Sequence, residues 1–226
     1  MPVLPKRRVW LAAIAAFAVL AIVGSYSMQF HWLHYVFKPL ATLSIAAMAF
    51  ASHTEKRRYR LAVFAGLLLS ALGDVFLMLP GDQFVFGLGS FLFAHIAYLV
   101  AYTARERLLA ALWPYVVFAA VSAGVLALLW AHVPQVLRIP VVVYVAVLGS
   151  MAAQAGAVWW RRRDTPTACA AIGAAFFVTS DAVLAIDHFA TPFALAPAVI
   201  LSTYWVAQTL IALSVGHAPE ALIRSS

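Results

Sequence analysis

The chain has 226 residues, of which 65% are hydrophobic and 10% are charged, and its mean hydropathy is +0.95. A soluble domain carries about 25% charged residues, so the composition excludes a soluble domain and predicts an all-α bundle of membrane-spanning helices. The net charge of +7 falls in short loops, which excludes a basic nucleic-acid-binding face. Because Cys169 is the only cysteine, an intrachain disulfide and a cysteine-based metal site are also excluded.

Eight apolar segments follow one another along the chain, each close to the roughly 20 residues that cross about 30 Å of hydrocarbon. They are residues 9–28, 33–52, 61–79, 84–103, 108–130, 138–160, 167–186 and 193–215. The first segment follows a basic stretch as a signal peptide does, but its length is that of an uncleaved spanning helix. With no linker between segments, we expect residues 1–226 to form a single eight-helix transmembrane domain.

The basic residues predict the orientation of the bundle. On one side of the membrane lie 13 of the 15 Lys and Arg residues, namely Lys6, Arg7, Arg8, Lys56, Arg57, Arg58, Arg60, Arg105, Arg107, Arg161, Arg162, Arg163 and Arg224. The positive-inside rule places that side, and both termini, in the cytoplasm. We therefore expect an integral protein of the bacterial inner (cell) membrane. On the outer side, residues 80–83 and 187–192 form short connections.

Two aspartates lie inside segments three and seven. Both segments contain Gly-x7-Asp-x2-Leu with a small residue before the acid, at residues 66–77 and 173–184. A carboxylate in the bilayer core costs about 2.5–3.5 kcal/mol on insertion scales, and such acids usually mark function. Asp74 and Asp181 both fall about 8 Å below the outer boundary at 1.5 Å per residue. Their four-helix separation predicts a parallel 4+4 repeat.

Other polar side chains are expected to surround the two acids, either binding substrate or tuning the protonation of the pair. These candidates are Lys38, Ser70, His95, Tyr98, Ser180, Tyr204 and Gln208. Thr42 lies one turn from Lys38. Several have ordinary alternatives: Lys38 can snorkel to headgroups, His95 can be a core histidine, and amides can join helices. No ligand spacing predicts a metal site, and no cofactor is expected.

Two buried carboxylates suit acid–base chemistry. Burial disfavours the charged form, a second carboxylate adds to this effect, and Lys38 opposes it, so the pair can hold one proton as a coupled unit. One neutral acid beside one carboxylate is the arrangement by which glycosidases cleave acetals, and it suits an acid-labile ether on a lipid. A Lys38–Asp ion pair could instead hold the bundle, although one lysine cannot neutralise two carboxylates.

A proton-coupled transporter is the alternative function, since membrane acids also serve transport. Against it, no proline or paired glycine breaks the segments around Asp74 and Asp181, whereas broken helices are usual at transport sites. A lipid-binding scaffold without catalysis is a third interpretation.

The ordered motifs resemble the lysoplasmalogenase (YhhN-like) family over nearly the whole chain, including its eight-helix layout. The motifs are Lys38-Pro39, Ser70-x2-Gly73-Asp74, Gly87-x3-Phe91-x3-His95-x2-Tyr98, Ser180-Asp181 and Tyr204-x2-Ala207-Gln208. The resemblance implies hydrolysis of the vinyl ether of lysoplasmalogens to a fatty aldehyde and glycerophosphoethanolamine or glycerophosphocholine. It places the family's catalytic aspartates on Asp74 and Asp181, and leaves open which is the acid. The implied partners are a lysophospholipid substrate and membrane lipid, with no nucleic acid and no evident protein partner.

Overall fold

The structure, a computed structural model, describes residues 4–52, 54, 56–81 and 83–216, with side chains from residue 7 onward. These residues contain eight α-helices and no strand. The helices are α1 (Leu4–Ser25), α2 (His31–Ala51), α3 (Arg57–Met78), α4 (Phe84–Thr103), α5 (Trp113–Leu129), α6 (Arg138–Arg162), α7 (Thr165–Phe189) and α8 (Ala196–Leu213). The all-α class predicted from the composition is therefore confirmed.

Seven of the eight described helices are long and apolar enough to cross a membrane, so the protein is an integral membrane protein. The exception is α5, which has 17 residues and spans about 25 Å at 1.5 Å per residue. It begins five residues later than predicted, because the chain turns before it, with Leu109 at φ 60. Pro114 then opens the helix, a position that tolerates the missing N–H.

The predicted outer connection at residues 187–192 is wrong in its first half. Helix α7 continues to Phe189, so Asp187 and His188 are not loop residues but lie in its last turn. The Phe193 N–H donates to Asp187 Oδ1 at 3.1 Å, and the His188 ring stacks on Phe84 with centroids 3.7 Å apart. These contacts extend the helix past the predicted boundary.

Residues 1–3 and 217–226 lie outside the described residues, and the cytoplasmic location of both termini stays a prediction.

The packing of the helices has the same pattern in the two halves of the chain. Successive helices pack in pairs, α1 on α2, α3 on α4, α5 on α6 and α7 on α8. The halves join where α2 contacts α8 and where α4 contacts α6. A parallel 4+4 repeat would make those two interfaces equivalent. The repeat itself remains a prediction.

Glycines explain how the acid-bearing helices approach their neighbours. A Cβ on Gly66 would lie 2.3 Å from Tyr98 Cε1, and one on Gly173 would lie 2.9 Å from the Ala207 carbonyl oxygen. Both distances are below van der Waals contact, so only glycine permits α3 to pack on α4, and α7 on α8, at these points. The glycine in Gly-x7-Asp thus has a packing role, and the helix contact that it permits helps to fix the acid two turns away.

We expect Gly66→Ala to destabilise the protein by about 1–3 kcal/mol, the usual cost of overpacking a filled interior. The new methyl group would press on the Tyr98 ring, which is fully buried. Thermal unfolding in detergent measures the effect. Gly89→Ala in α4 is the matched control, since a Cβ there meets nothing within 4 Å. Equal stability of Gly66→Ala and wild type would contradict this account of the α3–α4 contact.

Candidate active site

A cavity of about 320 Å³ lies within the bundle, and both predicted acids line it. Its walls come from α2, α3, α7 and α8, and from the start of α4. Lys38, Ser180 and Tyr204 are the other predicted site residues in its lining. The sequence therefore identified five residues of one cavity that belong to four different helices.

Asp74 is held by donors from two other helices. Its side chain is 2% exposed, and its Oδ2 accepts hydrogen bonds from Thr42 Oγ1 at 2.7 Å and from the Tyr204 hydroxyl at 2.8 Å. The Trp205 indole N–H donates to Thr42 Oγ1 at 3.2 Å, which orients that hydroxyl. The other oxygen, Oδ1, lies 3.8 Å from Lys38 Nζ. Asp74 thus has two hydroxyl donors and one cation.

Lys38 does not snorkel to the surface of the bundle. Its side chain is 8% exposed and lines the cavity beside Asp74. An unpaired ammonium at this depth would be costly, so the nearby carboxylate accounts for its burial. The interpretation of Lys38 as a headgroup anchor is therefore wrong.

Asp181 has a different environment. Its side chain is 11% exposed, and Oδ2 accepts a hydrogen bond from the Tyr144 hydroxyl of α6. His95 Nε2 of α4 lies 3.8 Å from the same oxygen. Among the described residues, no Lys or Arg pairs with Asp181 and no donor reaches its Oδ1. Asp181 thus has one hydroxyl donor where Asp74 has two and a cation.

The two carboxylates line one cavity without a hydrogen bond between them in the described part of the chain. Each accepts from its own donors instead. Asp74 is bound by α2 and α8, and Asp181 contacts α6 and α4, so each acid meets a helix from both halves of the chain. A proton shared through a direct Asp74–Asp181 hydrogen bond is therefore not what the geometry supports, and the two acids have different hydrogen-bond partners.

The remaining predicted residues lie behind the cavity or tie helices together. Ser180 Oγ donates to the Ile200 carbonyl at 3.0 Å and joins α7 to α8. Four others are fully buried and are not part of the cavity lining, namely Ser70, His95, Tyr98 and Gln208. Tyr98 donates to Gln208 Oε1 at 2.7 Å, the interhelical role considered for such amides. His95 packs edge-on against Phe177 and Tyr144.

Several polar residues near the two acids were not predicted as site residues, and Tyr144, which donates to Asp181, is one of them. The sequence contains a pattern that could have identified Tyr144, because Arg138-Ile139-Pro140 is a loose counterpart of Lys38-Pro39. Tyr144 lies about one turn after its proline, as Thr42 does. In the cavity lining itself, the unpredicted polar residues are His34, Gln83 and His188. His34 joins α2 to α1, because its Nδ1 lies 3.0 Å from the carbonyl oxygen of Ala21.

Within the described residues, no three His, Cys, Asp or Glu side chains converge as a metal site.

Known proteins are similar to this chain over most of its length. The chain is 29% identical to the membrane protein YhhN of Escherichia coli O157:H7 over 201 residues, which cover 88% of this chain and 94% of that protein. It is 39% identical to lysoplasmalogenase TMEM86A of Homo sapiens over 167 residues, or 70% of this chain and 66% of the human protein. Lysoplasmalogenase of Mycobacterium tuberculosis is 37% identical over 160 residues, or 68% and 59%.

No solved structure matches the chain. Residues 33–215 match the YhhN family, a region that runs from the third residue of α2 past the end of α8 and contains every side chain described around the cavity. The chain belongs to the YhhN family.

Proposed function

We propose that this protein hydrolyses the vinyl ether of lysoplasmalogens and releases a fatty aldehyde and glycerophosphoethanolamine or glycerophosphocholine. The observation that carries the proposal is one intramembrane cavity lined by two acids with unequal surroundings. The relatives of known name supply the substrate class, since the human and mycobacterial proteins are called lysoplasmalogenases. Our proposal also includes a bacterial inner-membrane location, cytoplasmic termini and a single domain over residues 1–226.

Asp74 acts as the carboxylate of the site. Two hydroxyl groups donate to it, and Lys38 provides a balancing positive charge at 3.8 Å. Hydrogen bonds and a cation of this kind stabilise an ionised carboxylate. Negative charge held in a cavity stabilises a developing cation, and a carboxylate accepts a proton from attacking water.

Asp181 acts as the proton donor. It has one hydroxyl donor from Tyr144, no Lys or Arg partner among the described residues, and an Oδ1 that accepts no hydrogen bond from them. Leu184 and Phe84 lie beside it in the cavity wall. A carboxylic acid in apolar surroundings is suited to deliver a proton, as the acid of a glycosidase does. This assignment separates two roles that the sequence left open.

The reaction begins with proton transfer from Asp181 to C2 of the alkenyl chain, the carbon one bond beyond C1, which carries the ether oxygen. The electron pair of the double bond forms the new C–H bond, and the oxygen lone pair stabilises the resulting oxocarbenium at C1. Water then attacks C1 while Asp74 takes one of its protons, which gives a hemiacetal. General acid–base steps of this kind each contribute about 10²–10⁴-fold to the rate.

The hemiacetal collapses by reversing the proton positions. Protonated Asp74 returns its proton to the ether oxygen as the C1–O bond breaks, and the Asp181 carboxylate takes the proton of the C1 hydroxyl. The products are the fatty aldehyde and glycerophosphoethanolamine or glycerophosphocholine. Both acids return to their starting protonation states. One water is consumed in the cycle and no cofactor is required. Thr42 and Tyr204 are positioning residues in this scheme, because they fix the Asp74 carboxylate.

Aldehyde release from a C16 alkenyl lysophospholipid by purified protein in detergent tests the proposal. Transport cannot occur without two compartments, so turnover there separates hydrolysis from the proton-coupled transporter. In D₂O we expect one deuterium at C2 of the aldehyde, since the proton reaches C2 from an exchangeable acid. The saturated ether analogue, which lacks the double bond, should release nothing. Folded protein that yields no aldehyde from either headgroup class would overturn the proposal.

A further inference from the structure

A second, apolar groove meets the active-site cavity at Asp181. The two spaces share Asp181, Phe84 and Leu184 in their walls. The groove lies among α4, α5, α6 and α7, and its lining contains no residue of α2 or α8, the helices that bind Asp74. Asp181 therefore stands at the junction of two spaces of different character.

The two spaces differ in the side chains that line them. The first contains the polar groups His34, Lys38, Gln83 and His188. Apart from Asp181 and its donor Tyr144, the groove has Ser122 as its one hydroxyl among otherwise apolar lining residues of the described chain. A lipid with one chain and one polar headgroup matches this division, because each part meets side chains of its own polarity.

We propose that this groove binds the first carbons of the alkenyl chain and so presents C2 to Asp181, an inference that rests on the proposed function. The headgroup and glycerol then occupy the larger cavity on the Asp74 side. This placement puts the ether oxygen and attacking water toward Asp74, and the carbon that receives the proton toward Asp181. Both chemical roles follow from one orientation of the substrate.

The size of the groove limits how much of the chain it holds. Its volume is about 60 Å³, which is space for roughly four to six water-sized groups at 10–15 Å³ each. A methylene is of similar size, so only the proximal carbons fit. Val121 of α5 lines the groove and is 44% exposed at the surface of the bundle. The rest of the chain leaves there into the surrounding hydrocarbon.

The groove contributes orientation more than affinity. A chain that moves from lipid into an apolar groove exchanges one hydrocarbon environment for another, so little transfer energy is gained. Holding C2 beside the acid, in contrast, is the kind of positioning that lowers a barrier. Specificity should therefore depend on the shape of the chain near the vinyl ether, and hardly on its far end.

Branched substrates test this inference on the wild-type protein. Three alkenyl lysophospholipids with one headgroup are compared, an unbranched C16 chain and chains with paired methyl groups at C4 or at C12. We expect kcat/KM to fall at least about tenfold for the C4 branch, because orientation in the groove is lost, and to stay within about threefold for the C12 branch. Equal rates for all three, or rejection of the C12 branch as well, would overturn the inference.

A groove-filling variant gives a second measurement. Val125 lines the groove from α5, and Val125→Phe should lower kcat/KM for the unbranched substrate at least about tenfold by occupying the chain site. Val116→Phe is the matched control on the same helix, at a residue that is 69% exposed and outside the groove lining. Equal effects of the two substitutions would contradict the proposed chain site.

Binding without turnover separates this inference from the proposed function. Saturated ether analogues of the unbranched and C4-branched lipids cannot undergo vinyl ether hydrolysis, so their effect on the melting temperature reports binding alone. We expect stabilisation by the unbranched analogue and little by the C4-branched one. If this difference is seen but no substrate releases aldehyde, the groove binds the chain and the proposed function is refuted. If aldehyde is released but branched and unbranched lipids behave alike, the proposed function stands and chain binding in the groove is refuted.

Discussion

Replacing Asp181 with asparagine should lower kcat for aldehyde release by about 10²–10⁴-fold, the usual contribution of a general acid. The amide can still accept the hydrogen bond from Tyr144, so the cavity keeps its shape while the acidic proton is lost. We expect the free energy of unfolding to change by less than about 1 kcal/mol. Single-turnover rates in detergent, together with thermal unfolding of the same sample, measure both quantities.

Asp187→Asn is the matched control for this variant. Asp187 lies in the same helix, is outside the lining of both spaces, and accepts from the Phe193 N–H, a bond that an amide oxygen can retain. Its kcat should stay within about threefold of wild type, since Asp187 lines neither space and the substitution keeps its hydrogen bond. An Asp181→Asn protein that turns over at the wild-type rate would show that Asp181 is not the proton donor.

Replacing Asp74 with asparagine should remove activity and also destabilise the fold. Lys38 is nearly enclosed and pairs with Asp74 at 3.8 Å. Removing one partner of a buried ion pair leaves an uncompensated charge and costs about 3–5 kcal/mol. We therefore expect a clear fall in melting temperature together with a loss of aldehyde release of at least about 10²-fold. Unfolding in detergent and product analysis measure the two effects.

The double variant Lys38→Met/Asp74→Asn separates catalysis from stability. Replacing both members of a buried ion pair by uncharged residues is often neutral or stabilising, so the melting temperature should recover toward that of wild type. Activity should not recover, because no carboxylate remains to accept the proton of water. A double variant that regains both stability and turnover would limit the Lys38–Asp74 pair to a structural role.

The helices of this protein could be predicted from its sequence because each is one apolar run, and seven of the eight described helices are long enough to span the bilayer. The span predicted for α4, residues 84–103, coincides with the observed helix. The sequence-based predictions were wrong at helix ends whose position depends on local contacts. The start of α5 depends on a turn before Pro114, and the end of α7 depends on Asp187 and His188, whose contacts with Phe193 and Phe84 hold the last turn.

The charged residues of the cavity and one donor, Tyr204, could be predicted from the sequence, whereas the donor to Asp181, Tyr144, was not. Asp74, Asp181 and Lys38 were identifiable because charge is costly in the bilayer. Tyr144 carries no such cost, and only its contact with Asp181 shows its importance. Ser70, Tyr98 and Gln208 lie on plausible helix faces yet are enclosed behind the cavity. Periodicity gives the face of a helix, whereas the depth of a side chain between neighbouring helices depends on packing that a single sequence does not encode locally.

Each acid is presented by one half of the chain and touched by the final helix of the other, since Tyr204 of α8 binds Asp74 and His95 of α4 lies beside Asp181. Neither four-helix half therefore contains all the contacts of its own acid. In the proposed mechanism, turnover therefore depends on the α2–α8 and α4–α6 interfaces as well as on the acids themselves. Lipids or substitutions that separate the helices at either interface would then abolish activity, although both carboxyl groups would remain in place.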